Sequence, residues 1–199
     1  TQESLEDATR AYLDRDVEIA EKIIEGDSEV NQLELETDKQ SLRLLALEQP
    51  MARDLRMILG IMKISNELER IADQAVNISE RTIFLCQHPP LDLMPAMEHL
   101  IETSKYMLKM AVDANAAKQV RHSDDQADEY TVQVLKELID LMAMDAPAKE
   151  KRRLKMRRSI QTIIISRCLE RISDLATNIG EHVAFIVEGV NIKHQKLKE

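Results

Sequence analysis

A chain of 199 residues that is 44% apolar but only 3% aromatic, with 4 Gly, 5 Pro and no Trp, lacks the turn formers and aromatics of sandwiches and barrels and reads as long helices. Its formal charge of −9 disfavours a nucleic-acid backbone as partner. No uncharged apolar run nears the roughly 18 residues needed to cross a bilayer, no signal peptide is expected, and Cys86 and Cys168 stand alone, as reduced thiols of a cytoplasmic protein would.

The first predicted helix runs from about Ser4 to Glu25, with Leu13, Val17, Ala20 and Ile24 at helical spacing, and stops at Gly26. Asp27 or Ser28 then offers an N-cap for a second helix reaching about Glu48. Pro50 marks the next boundary, and a third helix is expected from about Met51 to Gln87, ended by Pro89 and Pro90. A fourth fits from about Leu93 to Arg121, with Pro95 tolerated in its first turn. The fifth spans about Asp125 to Met144, and the sixth follows Pro147 and ends near Gly189. Met57, Met107, Met110 and Met142 fall at apolar positions and read as core filler. The residues after Gly189 are polar and are expected to fray.

Three helices, a Pro-Pro break and three helices again point to a duplication, and the residues bear the same signature. Residues 68–80 read LERIADQAVNISE and residues 169–181 read LERISDLATNIGE; across 65–85 and 166–186, 11 of 21 positions are identical. The shift from Glu69 to Glu170 is 101 residues, a domain-scale repeat rather than a solenoid period. Further upstream the shift is 97, pairing Asp16, Ala20, Asp27 and Pro50 with Asp113, Ala117, Asp124 and Pro147. The four extra residues amount to about one helical turn, which leaves the apolar face in place. The expected fold is all-α: two tandem three-helix bundles, six helices related by a pseudo-twofold internal repeat. Residues 1–88 form the first, 91–190 the second and 191–199 a polar tail. Residue 1 pairs with residue 98, inside the fourth helix, so the first helix is expected to be truncated.

Each repeated stretch is an amphipathic helix. Glu69, Asp73, Asn77 and Glu80 lie within about 80° of one another, opposite Ile64, Ile71, Ala75 and Ile78, and the second copy repeats the stripe as Glu170, Asp174, Asn178 and Glu181. Carboxylates four residues apart project from adjacent turns and can share one cation. Oxygen ligands suit Mg, Ca, Mn or iron. One helix supplies too few of them, but Asp27 with Asn31, and Asp124 with Asp128, carry the same spacing elsewhere. If each pair docks beside its own stripe, six or more oxygens converge. A merely solvated face is the alternative, since exposed like charges at this spacing cost only about 0.2–0.5 kcal/mol and Arg70 and Arg171 could neutralise part of each stripe. Such a face needs charge, however, and not the same residue at each place in both copies.

Catalysis finds less support. None of His88, His99, His122, His182 and His194 has Glu three residues before it, as ferritin-like sites require, and there is no Gly-rich phosphate loop or nucleophile motif. A metal-dependent phosphohydrolase of helical-bundle type is the alternative to a non-enzymatic protein. The run KEKRRLKMRR, Lys149 to Arg158, opens the sixth helix, where the macrodipole disfavours cations. It is either a solvated helix end or a contact for an acidic surface or anionic headgroups.

Both copies of E-R-I-x-D-x-x-x-N-I-x-E, with Pro50 followed by Asp54-Leu55-Arg56, resemble the PhoU family of bacterial phosphate-transport accessory regulators, and the resemblance covers essentially the whole chain. It implies two three-helix bundles with metal clusters, iron in some members and zinc in others, on acidic motifs. Carried onto this chain, these fall on Glu69 and Asp73, Glu170 and Asp174, and on Asp27 with Asn31 and Asp124 with Asp128. Asn31 replaces an acid there, which weakens that site. Lys151-Arg152-Arg153 stands opposite Asp54-Leu55-Arg56, so nothing transfers from that motif to the second half. The resemblance further implies a cytoplasmic, non-enzymatic negative regulator of phosphate-starvation signalling. It would be an adaptor between a phosphate ABC transporter and a sensor histidine kinase, self-associating as a homodimer and reaching the membrane only through partners. Arg70 and Arg171 are the candidate partner-binding residues.

Overall fold

The computed structural model describes residues 1–92, 94–113, 116–144 and 149–189. Six helices account for nearly all of them: α1 (Gln2–Asp14), α2 (Val17–Glu48), α3 (Arg53–Cys86), α4 (Pro95–Met110), α5 (Ala117–Ala143) and α6 (Lys149–Glu188). Helices α1, α2 and α3 pack on one another, as do α4, α5 and α6, and the two sets meet along α3 and α6 and at α1 and α4. The four longer helices lie side by side in the order α2, α3, α6, α5, with α1 and α4 packed against them. The all-α fold of two three-helix bundles is as expected.

The boundaries inside each half are not. The first helix ends at Asp14, where Arg15 turns left-handed (φ 58°) and Asp16 caps α2, its Oδ1 accepting from the Ile19 N–H at 3.1 Å. Gly26 is interior to α2, and a Cβ there would meet nothing within 4 Å. A glycine inside a helix costs only about 1 kcal/mol, which the apolar residues on either side of it offset by packing. Asp27 and Ser28 therefore cap nothing, and Asp27 and Asn31 sit along the body of α2. The second half breaks in the same place, after Met110 rather than Arg121, so Asp124 and Asp128 also lie within α5. The expected starts at Leu93 and Pro147 and the polar tail fall outside the described residues. Met57 is exposed and is not core filler, whereas Met107 is wholly buried.

One core serves both bundles. Leu5, Ile71 and Ile78 from the first half join Leu100, Leu138, Leu169 and Ile172 from the second in a single buried cluster, each large side chain contributing about 1.5–3 kcal/mol. Helices α3 and α6 cross antiparallel. Near one end Gly60 lies against Ile186, and near the other the Arg157 guanidinium stands 5.2 Å from the Phe84 ring centroid. Across the seam between α4 and α6, Ser104 Oγ and Ser173 Oγ are 3.0 Å apart, both buried.

The Pro-Pro linker is held from both halves. Arg15 donates to the carbonyls of Leu85 and His88, and Arg158 donates to those of Pro89 (2.6 Å) and Pro90 (3.2 Å). Arg158 thus leaves the basic run for a structural task, and Arg157 joins it through Phe84. Lys151, Arg152 and Arg153 remain exposed.

Candidate metal centres

The apolar face of α3 that buries Ile71, Ala75 and Ile78 turns Glu69 and Asp73 away from the core, toward the α2 edge that carries Asp27, Asn31 and Glu34. Asn31 Nδ2 donates to Asp27 Oδ2 at 2.9 Å. The other oxygens of this pair, Asp27 Oδ1 and Asn31 Oδ1, are buried without a hydrogen-bond partner. An uncompensated buried acceptor is costly, so this pair is set to receive a donor or a cation. The Glu69 carboxyl is pushed above its ordinary range by burial first, then by Asp73, Glu34 and Asp27, with Arg70 opposing. Burial and Asp27 raise Asp73, while Arg171 of the other half pulls it down.

The second half builds the same arrangement. Burial and then Asp174, Asp128 and Asp125 push Asp124 from an ordinary 3.8 up to about 6; the nearby Thr177 hydroxyl opposes the rise. Asp128 rises through burial, Glu170 and Asp125, and Asp174 through burial, Glu170 and Asp128. Arg167 tempers the first of these and Arg171 the second. Glu170 takes both its oxygens to Arg167 Nη1, at 3.0 and 2.9 Å.

Asp27, Asn31, Glu69 and Asp73 therefore lie along the facing sides of α2 and α3, and Asp124, Asp128, Glu170 and Asp174 along those of α5 and α6, near enough that Glu69, Asp73, Asp124, Asp128 and Asp174 are raised by carboxylates of their own set. Sequence reasoning overlooked Glu34 and Asp125. Glu34 stands seven residues after Asp27, on the same helical face, which is the signal that could have found it. The rest of each stripe has other duties. Asn77 Nδ2 donates to the Asp73 carbonyl at 2.9 Å, Glu80 pairs with Arg81 at 3.2 Å, and Glu181 pairs with Arg121 at 3.4 Å. Asn178 is half-buried. Arg70 is turned along its own helix to Glu67 (2.9 Å), and Arg171 lies exposed in the field of Asp73 and Asp174.

All the donors are oxygens, negative charge is in excess in both sets, and the first holds two uncommitted buried acceptors. That chemistry fits a hard cation such as Mg, Mn or iron better than zinc, which favours nitrogen and sulfur. Among the described residues no three carboxylate, His or Cys groups already close on one cation-sized point, so binding a cation would require their side chains to move inward.

Comparison with known proteins gives one consistent result. The family model described as "PhoU domain" matches residues 1–82 and again 97–183. A protein of Aquifex aeolicus named "Phosphate-specific transport system accessory protein PhoU homolog" is 38% identical over 204 residues, spanning 100% of this chain and 89% of that one. Its namesake in Pseudomonas putida is 33% identical, spanning 99% and 77%. Among solved structures, PhoU from Pseudomonas aeruginosa superposes with a TM-score of 0.85 at 32% identity, covering 95% of this chain and 90% of that one. The phosphate transport system regulatory protein PhoU from Streptococcus pneumoniae gives 0.82 at 27% identity, covering 96% and 90%.

Proposed function

From the premise that this chain belongs to the PhoU family, we propose that it is a non-enzymatic, cytoplasmic accessory protein of phosphate transport. In this reading it joins a phosphate ABC transporter to a sensor histidine kinase and holds phosphate-starvation signalling off when phosphate is plentiful. The observation that carries the reading is the doubled acidic centre. Each bundle spends stability to gather like-charged carboxylates at one place on two facing helices, which a passive helical spacer has no reason to do twice.

The two sets divide the work by helix. Asp27 and Asn31 from α2 meet Glu69 and Asp73 from α3; Asp124 and Asp128 from α5 meet Glu170 and Asp174 from α6. A bound iron, Mg or Mn ion would supply positive charge that ties each pair of helices together and lowers the carboxyl pKa values. Arg171, within reach of both stripes, offsets part of the charge in its absence, and Arg171, with Arg70 once it is drawn off its Glu67 pair, would present cations to a partner beside the acidic face. The relatives' names supply the transporter as partner class; the kinase and the homodimer are further parts of the proposal. No helix of the described residues is long and apolar enough to cross a membrane, so contact with the transporter would be peripheral. No specific observation favours a phosphohydrolase.

The test is deletion of the gene in its host with a reporter of phosphate-starvation genes, complemented by the wild type or by the pair Asp73→Ala and Asp174→Ala. Constitutive expression in high phosphate, restored to repression by the wild type and poorly by the double variant, is the expected result. Unchanged repression after deletion would overturn the reading.

A further inference from the structure

The basic run that opens α6 takes no part in either acidic centre. From Lys149 to Arg158 seven residues are basic and one is acidic, a net +6 in a chain of −9, so the other 189 residues carry −15. The helix then stays free of acid: from Lys151 to Leu169 it holds seven Lys or Arg and no Asp or Glu. Two of these cations serve the frame, Arg158 at the linker carbonyls and Lys155 at that of Met144, 3.4 Å away. Arg152, Arg153 and Arg157 are exposed, and on a helical wheel they fall within about 140° of one another together with Met156 and Ile160. Those two apolar side chains are 45% and 44% exposed. Ile163 and Ile164, half-buried, and Arg167, exposed, prolong the same face. Alongside, α5 ends with Ile139 and Met144 exposed; its acids Glu137 and Asp140 lie about 100° or more around that helix from Ile139.

No chain end lies beside this face. Helix α1 finishes at Arg15, bonded to the Leu85 and His88 carbonyls, so Thr1 is a helix length away, about 20 Å. Gly189 lies against Arg56, at the opposite end of α3. Arg157 stands over Phe84, in the last turn of α3, so residues 149–156 carry α6 about 12 Å past that end. Glu170, where the acidic centre begins on α6, follows Ile160 by ten residues, about 15 Å. That exceeds the Debye length of about 8 Å at physiological salt, so the centre does not cancel the positive charge.

We propose that this face binds an anionic lipid surface, with Arg152, Arg153 and Arg157 among the headgroups and Met156 and Ile160 at the acyl boundary. Cations interleaved with exposed apolar side chains on one helical face make an interfacial helix, and each Lys or Arg near an anionic leaflet adds to the attraction. An acidic protein surface would satisfy the arginines but set Met156 and Ile160 against carboxylates; a leaflet offers charge and hydrocarbon at two depths. The proposal goes beyond the phosphate-regulator reading and stands without it, since that reading brings the protein to the membrane through partners alone.

The experiment sediments the full 199-residue chain with vesicles of phosphatidylcholine, alone or mixed with phosphatidylglycerol. Binding is expected to the mixed vesicles only, weakening as salt rises, with amide hydrogen exchange slowed at residues 151–164. The pair Arg152→Gln and Arg153→Gln should weaken it by about thirtyfold. The pair Met156→Gln and Ile160→Ser, which keeps the charge, should weaken it by about tenfold. All four side chains are exposed, so the melting temperature should stay in place. No binding, equal binding to both kinds of vesicle, or affinity untouched by either pair would overturn the proposal. So would capture of polyglutamate through the same arginines with vesicles left alone, which gives the face to an acidic protein.

Discussion

Replacing Asp124 with Asn should stabilise the protein when no metal is present, and should do so only above the pH at which the carboxyl ionises. Asp124 is raised from 3.8 to about 6 by burial and by Asp174, Asp128 and Asp125. Its folded value exceeds its unfolded one, so the fold holds this proton more tightly than the unfolded chain does. Its contribution is then complete below about pH 4 and is lost as pH climbs through about 6. About two units at 1.36 kcal/mol each would amount to about 3 kcal/mol; water at the partly exposed carboxylate reduces that to about 1–2 kcal/mol. Urea unfolding with a chelator present should therefore find Asp124→Asn about 1–2 kcal/mol more stable than the wild type at about pH 7.5, with the gap closing toward about pH 4.5. Adding Mn should stabilise the wild type more than the variant, since the ion replaces the missing proton. A gap that does not change with pH, or an asparagine variant that is the weaker protein at about pH 7.5, would refute the electrostatic account of the centre.

Three other substitutions probe the frame around it. Ser104→Ala removes the hydroxyl shared with Ser173 and the Leu169 carbonyl (3.0 and 3.2 Å) and should cost about 1 kcal/mol in urea unfolding; the double change with Ser173→Ala should cost less than the sum of the two singles. Gly60→Ala places a methyl group on the Ile186 side chain and should lower stability by about 1–2 kcal/mol, most of it regained when Ile186→Ala is added. Asp16→Ala deletes the cap that Ile19 N–H uses at 3.1 Å and should cost about 1 kcal/mol, seen as a lower melting temperature.

The sequence revealed the acidic centres because a duplication states the same thing twice. Asp73 and Asp174 could be matched without any knowledge of where α2 or α5 begins. The boundaries were harder because the true break rests on Arg15, a residue with a Cβ in a left-handed turn, while Gly26 presents a stronger stop signal than it delivers. The 97-residue shift had already paired Asp16 with Asp113, the two real break points. That pairing was the better guide, because it reflects packing that both halves share and not the preference of one residue. The linker clamp of Arg15 and Arg158 was invisible for a different reason. Each arginine bonds to carbonyls about 70 positions away in sequence, and a backbone carbonyl leaves no mark in residue type.

A twofold interface closed inside one polypeptide is released from the rule that made it. When two identical chains meet on an axis, every substitution lands on both sides of it at once. Here α3 and α6 are separate text, so each side of their crossing drifts independently. Gly60 faces Ile186 at one end, while the positions 101 residues on from Gly60 and 101 before Ile186 hold Gln161 and Leu85. One end has settled on close contact through the smallest residue and the other on a longer polar one, whose buried Oε1 finds no partner. Joining the halves leaves each of the two acidic faces free to differ, with Asn31 on one side and Asp128 on the other.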